Sequence, residues 1–174
     1  MSATTPTPPL PATWPKLDWD RWEPQQECVL LFVIENGQVL LIEKKTGFGR
    51  GKVNGPGGKI DPGETALAAA IRETQEEIHV TPTGIVPAGE LRFHFADGYA
   101  MRCQVFRADG HTGTPAESAE AKPFWAPLNA VPFDAMWQDD RHWFPFLLDR
   151  RPFLACFTFD GDTMLTKTLH ADDA

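Results

Sequence analysis

Apolar and polar positions alternate in short blocks along most of the chain. Residues 27–34 form a dense apolar run, which reads as a buried strand. Glu35-Asn36-Gly37 is a hairpin turn, and residues 38–45 form the return strand, ending in Lys44-Lys45. Residues 89–95 alternate, with Leu91, Phe93 and Phe95 on one face. Ala96-Asp97-Gly98 turns the chain, and residues 99–107 return with Met101, Cys103 and Val105 on one face. A short strand follows over 122–128. A terminal hairpin, 153–159 with 163–169, closes around Asp160-Gly161-Asp162. A helical period replaces the alternation twice. The first helix is expected from Thr65 to near Ile78, with Leu67, Ile71, Thr74 and Ile78 as its core stripe. The second is expected from Asp139 or Asp140 to about Arg150, with Pro145 limiting its first turn. The stretches 46–59, 81–84, 109–121 and 129–133 break these patterns and read as loops. The result is an α/β chain, strand-rich, with two helices.

Composition adds limits. A chain of 174 residues, 42% hydrophobic and 23% charged, suits one domain with its own core, placed at 26–172. Residues 1–25 read as a Pro/Trp-rich arm carrying Trp14, Trp19 and Trp22, either mobile or docked on the domain or a neighbouring subunit. A monomer is expected, with the arm as the surface a dimer would use. The net charge of −8 argues against stable nucleic-acid binding and against attraction to anionic membranes. Cys28, Cys103 and Cys156 are odd in number and without CxxC spacing, and all lie in expected strands. Buried free thiols in a reducing compartment follow. With no signal peptide and no stretch of transmembrane length, a cytoplasmic protein is expected.

The first helix carries a candidate site. Glu73, Glu76 and Glu77 stand at i, i+3, i+4, so their carboxylates share a face near the negative end of the helix dipole. A hard divalent cation, Mg²⁺ or Mn²⁺, would relieve both penalties. A solvated acidic face paired with Lys or Arg is the other reading, and spacing does not separate the two. The stretch 46–59, TGFGRGKVNGPGGK, is either a surface loop or a backbone able to approach phosphate and metal closely. Phe93, Phe95 and Met101 suit a core or a pocket for a flat ring. Asp139-Asp140 suits a helix cap or a pair of carboxyls in an apolar pocket, one of which would keep its proton.

Residues 58–80, GKIDPGETALAAAIRETQEEIHV, resemble the Nudix box, G-x5-E-x7-R-E-U-x-E-E-x-G-U with U aliphatic. Gly58, Glu64, Arg72, Glu73, Glu76, Glu77 and Val80 fall on its fixed positions. Thr74 stands where the box has an aliphatic residue, and His79 where it has a glycine that serves a left-handed helix end. KKTGFGRGKVNGPGGK, GTPAESAE and MWQDDRHWFPFLL extend the resemblance to the MutT-type branch, the diphosphatases of oxidised purine nucleoside triphosphates, its mammalian members especially. The resemblance implies a Nudix-type α/β/α sandwich with a mixed sheet. It implies that the Gly57 carbonyl, Glu73, Glu76 and Glu77 ligate metal, with Glu120 as a further acidic residue beside them. Arg72 would hold the glutamates. Asn54, Asp139 and Asp140 would read the base edge, and Phe48, Phe93, Met101 and Trp137 would wall the pocket, with Trp137 stacking on the base. Lys44 would lie near phosphate or pocket. The implied reaction is Mg²⁺-dependent hydrolysis of an oxidised purine nucleoside triphosphate to the monophosphate and pyrophosphate, with a box carboxylate or Glu120 accepting the proton. Hydrolysis of another nucleoside diphosphate derivative, such as ADP-ribose or a dinucleoside polyphosphate, is the alternative. A Nudix-fold binding module is disfavoured because the box glutamates are all present.

Overall fold

A computed structural model describes residues 17–171, so Trp14 lies outside the described chain. In order, the elements are β1 (Gln26–Glu35), β2 (Gln38–Lys44), β3 (Val53–Asn54), β4 (Gly57–Lys59) and α1 (Ala66–Ile78). Then come β5 (Thr81–Phe95), β6 (Ala100–Thr112), β7 (Ala121–Pro127), α2 (Asp140–Leu148), β8 (Phe153–Asp160) and β9 (Thr163–Ala171).

The apolar run of β1 is continuous because both of its faces are covered. Val29, Leu31 and Val33 pack on one side with Ala69, Ala70 and Ile78 of α1. Cys28, Phe32 and Ile34 pack on the other with Trp143, Phe144 and Leu147 of α2. Strand β2 splits the same way, Val39 and Leu41 against Leu40 and Ile42. It follows β1 through Asn36-Gly37, whose φ values of 53° and 73° suit a tight hairpin. The strand order is β3-β2-β1-β6-β5-β8-β9, with β4 paired to β1 and β7 to β2. The pairs β1/β6 and β5/β8 are parallel and the others antiparallel. The mixed sheet with a helix against each face is the expected α/β/α sandwich.

Five expectations need correction. The glycine-rich stretch is no plain loop: it contributes β3 and β4 to the sheet. Residues 81–84 begin β5 rather than break the chain, and 109–112 end β6 rather than open the loop expected over 109–121, because Thr81 to Thr83 pair with Thr112 to Gly110. Gly84 (φ 62°) and a bulge at Pro87/Gly89 absorb the irregularity. Leu67 is 46% exposed, and the small Ala69 and Ala70 face the sheet instead, which lets α1 lie close. Helix α2 stops at Leu148, before the expected Arg150, which takes φ 56° just past the end.

Thr65 caps α1 by accepting from Ala68 N at 3.1 Å. Thr74 is buried and donates its hydroxyl to Ala70 O at 2.7 Å, so a polar residue is satisfied at an apolar position. His79 adopts the left-handed conformation (φ 63°) and its N–H closes the helix on Gln75 O at 3.0 Å. The three cysteines are buried and free, with Cys28 opposite Cys103 in the β1/β6 register. No helix among the described residues is long and apolar enough to cross a membrane.

Candidate functional site

Helix α1 presents a carboxylate cluster organised by one guanidinium. Arg72 donates from Nε and Nη2 to Glu64 at 2.7 and 2.9 Å, and from Nη1 to Glu73 at 3.0 Å and Glu76 at 3.2 Å. Nη2 also reaches Lys59 O at 3.2 Å, tying the helix to β4. The Arg72 bond holds the Glu64 carboxyl down to about 2. Arg72 therefore orders the glutamates, with Glu64 as its chief anchor.

The remaining acids are placed by burial. Glu77 is buried. Burial first, then the nearby charges of Glu73 and Glu120, push its carboxyl up to about 8, against opposing contributions from Lys44 and the Gly57 backbone. Burial likewise raises Glu73, with Arg72 opposing and Glu76 and Glu120 adding to the rise. Glu76 and Glu120 are exposed. Among the described residues no three Asp, Glu, His or Cys side chains converge closely enough to enclose a metal ion in this conformation.

Two glycines of β4 join this cluster to a cavity. A Cβ on Gly57 would stand 2.0 Å from Val29 O, and one on Gly58 would stand 2.5 Å from Glu73 Cδ. Only backbone fits between β1 and α1 here. The cavity, of about 220 Å³, is lined by Lys44, Phe48, Asn54, Gly57, Gly58, Phe93, Met101, Trp137, Asp139 and Asp140. All the residues expected to bind substrate thus meet in one place. Arg72, Glu73, Glu76, Glu77 and Glu120 are not among its lining residues. Through Gly58 the cavity lining meets Glu73.

The walls are aromatic. Trp137 stacks on Phe48 at 5.2 Å and 12°, and meets Phe159 edge-on at 5.7 Å. Lys52 Nζ lies 4.9 Å from the Trp137 ring centroid and pairs with Asp162 at 3.2 Å. Asn54 Oδ1 accepts from Gly55 N at 2.8 Å, which leaves the amide NH₂ available to a ligand.

Asp139 and Asp140 are the buried carboxyls of the cavity lining. Asp139 occupies the N-cap position of α2 but makes no side-chain cap bond. Its Oδ2 accepts from the buried Trp143 Nε1 at 2.9 Å, and its buried Oδ1 has no partner. Asp140 Oδ2 accepts from Trp137 N at 3.1 Å, holding the stacking residue. Burial raises both carboxyls, and the neighbouring charge of Asp139 raises Asp140 further. Capping of α2 is not what Asp139 does.

Sequence reasoning left out Glu64, Lys52, Tyr99 and Trp143. Glu64 stood on a fixed position of the box and carried that signal. Trp143 lies four residues after Asp139, one helical turn, and that spacing could have revealed the pair. Only tertiary packing brings Tyr99 into the cavity lining and Lys52 over the Trp137 ring.

Comparison with known proteins places this arrangement. The model of the NUDIX domain matches residues 24–147. The oxidized purine nucleoside triphosphate hydrolase of Danio rerio is 42% identical over 139 residues, covering 79% of this chain and 89% of that protein. The protein of the same name from Mus musculus is 40% identical over 147 residues, covering 83% and 94%. The crystal structure of a MutT protein from Bacillus halodurans superposes with a TM-score of 0.75 at 28% identity, covering 83% of this chain and 97% of that one. With the box glutamates ordered by Arg72 beside a glycine-lined cavity, and with that match over most of its length, the chain belongs to the Nudix family of hydrolases.

Proposed function

We propose that the chain hydrolyses oxidised purine nucleoside triphosphates to the nucleoside monophosphate and pyrophosphate, and so clears damaged precursors from the nucleotide pool. The observation that carries this reading is the buried Asp139 Oδ1, which accepts from no N–H or O–H donor, beside Asp140, whose carboxyl burial and the Asp139 charge push up, in an aromatic cavity. An oxidised guanine gains a C8 carbonyl and an N7–H donor. A pair that can accept one hydrogen bond and donate another suits such an edge, and a matched polar site discriminates strongly against an analogue lacking the group. Trp137 supplies the stacking face, with Phe48, Phe93 and Met101 as the other walls, and the Asn54 amide reads a further edge position.

The triphosphate would run from the cavity past Gly57 and Gly58 towards α1, with Lys44 beside it. The donor set fits a hard cation in its chemistry: the Gly57 carbonyl, Glu73, Glu76, Glu77 and Glu120 all offer oxygen, and burial raises the carboxyls of the half-buried Glu73 and the buried Glu77. Mg²⁺, with Mn²⁺ as substitute, would neutralise charge developing on the leaving phosphate and activate water. Arg72 keeps Glu73 and Glu76 aligned, and one of the carboxylates takes the water's proton. Residues 26–172 form the catalytic domain and 1–25 an arm, in a monomeric cytoplasmic enzyme.

A panel of 8-oxo-dGTP, 2-hydroxy-dATP, dGTP, O6-methyl-dGTP and ADP-ribose, assayed with Mg²⁺, tests the proposal. Preference for an oxidised purine with pyrophosphate release is the expected result. Faster turnover of ADP-ribose than of any triphosphate would overturn it.

A further inference from the structure

The tryptophan arm has a place that the hydrolase chemistry does not explain. The domain match begins at residue 24, so Trp19 and Trp22 lie before it. Strand β5 alternates. Leu91, Phe93 and Phe95 turn to the core and cavity, while Arg92 and His94 turn to the opposite side, and the arm lies there. Arg92 Nη1 donates to Trp19 O at 2.7 Å, and its guanidinium lies 5.7 Å from the Trp22 ring. Trp22 Nε1 donates to His94 Nδ1 at 3.3 Å, and the two tryptophan rings sit 5.4 Å apart. Gln25 then grips the tip of the β5–β6 hairpin: its N–H donates to Ala100 O at 2.9 Å and its Nε2 to Gly98 O at 3.3 Å.

Those two carbonyls flank Tyr99, the single tyrosine of the chain. Its ring lines the cavity, 6.2 Å from Phe48 and 6.0 Å from Phe95. Within the tip itself, Gly98 N donates to Phe95 O and Tyr99 N to Asp97 Oδ1, both at 2.9 Å. Below the tip the hairpin is held on both sides, β5 by β8 up to Phe95 and β6 by β1 from Met101, and Ala96 N donates to Phe159 O at 2.8 Å; between these ends the segment 97–100 takes its outside hydrogen bonds from Gln25. Among the described residues, every hydrogen bond that segment 17–25 makes beyond itself ends on β5, β6 or the turn between them.

We propose that Trp19, Trp22 and Gln25 act as a brace that positions the β5–β6 wall of the base cavity, and Tyr99 within it. The function assigned to that wall rests on the nucleotide reading above; the mechanical role does not. The arm residues touch no substrate. They act through Arg92, His94 and the two carbonyls beside Tyr99.

The test uses the full chain with Trp19→Ala and Trp22→Ala combined, and Trp22→Phe as the milder variant. Amide exchange at Phe95 and Gly98 should rise by at least about tenfold in the double variant, with the amides of α1 unchanged. KM for the oxidised triphosphate should rise about fivefold or more while kcat stays within about twofold, because base seating is loosened and the carboxylate cluster is not. Trp22→Phe, which keeps a ring beside Arg92 but loses the indole donor, should fall between parent and double variant. Unchanged exchange at the hairpin tip overturns the brace. So does an increase spread equally over α1 and β8, which is plain loss of stability, and so does an unchanged KM. A parent protein that turns over no nucleoside triphosphate sinks the substrate reading alone, and the brace then stands or falls on the exchange pattern.

Discussion

Gly58→Ala should remove most of the activity and almost none of the stability. The new Cβ would stand 2.5 Å from Glu73 Cδ and 2.6 and 2.8 Å from its two oxygens. Carbon contacts settle near 3.5–4 Å, so the carboxylate must retreat by about 1 Å. Gly58 is not among the residues with positive φ, so alanine suits the backbone. What yields is the far end of a side chain, at the cost of the 3.0 Å bond from Arg72. That partly exposed pair contributes up to about 1 kcal/mol, and the stiffer unfolded chain returns about 0.4–1 kcal/mol. The net change in stability is close to zero. A misplacement of about 1 Å in a catalytic group costs about a hundredfold in rate, or about 2.7 kcal/mol of barrier. Gly57→Ala is the contrasting control. Its Cβ would meet Val29 O at 2.0 Å, a backbone atom in the β1/β4 pairing, and the fold should lose on the order of 1–3 kcal/mol. Initial rates of pyrophosphate release with Mg²⁺, beside thermal unfolding curves, separate the two variants. If Gly58→Ala keeps kcat within about threefold of the parent at unchanged Tm, the placement of Glu73 is not what the reaction depends on, and the argument fails.

Glu73→Gln or Glu76→Gln should abolish turnover while leaving the circular dichroism spectrum and Tm intact; near-normal rates in either with Mg²⁺ present would sink the assignment of these carboxylates. Burial holds Asp139 and Asp140 above the ordinary aspartate value, so between about pH 4 and their raised values the folded protein keeps protons that the unfolded chain has released. Stability should therefore decline as pH rises through that window. Asp140→Asn should flatten the decline in Tm measured across it, and an unaltered slope would contradict a raised Asp140 carboxyl. His79→Gly relieves a left-handed residue (φ 63°) at an exposed helix end and should stabilise by about 1 kcal/mol, read as a higher denaturant midpoint with kcat unchanged.

Much of the site was legible because it is local. The spacing of Glu73, Glu76 and Glu77, the helix start at Thr65 and the Asn36-Gly37 turn each follow from residues within one or two turns of each other. The corrections lie where distant segments decide. Nothing within the glycine-rich stretch says that Gly57 and Gly58 pair with Leu30 and Val29; the near approach of β1 makes them strand. Local sequence left Asp139 open between a helix cap and a pocket carboxyl. The buried Trp143 indole takes its Oδ2, and the cavity leaves Oδ1 without a partner. Leu67 obeyed the helical period yet points to solvent, because the sheet lies against Ala69 and Ala70.

By itself the sequence determined the helices and hairpins, since periodicity, caps and turns are set by neighbours along the chain, and the resemblance of residues 58–80 to the Nudix box named the candidate groups for the chemistry. Tertiary structure decided which glutamate is buried, which aspartate oxygen is left unpaired, and where the tryptophan arm rests. Each depends on burial and on pairing between strands far apart in sequence. Desolvation and close approach exist only once β1 lies beside β6 and α1 and α2 cover the two faces of the sheet.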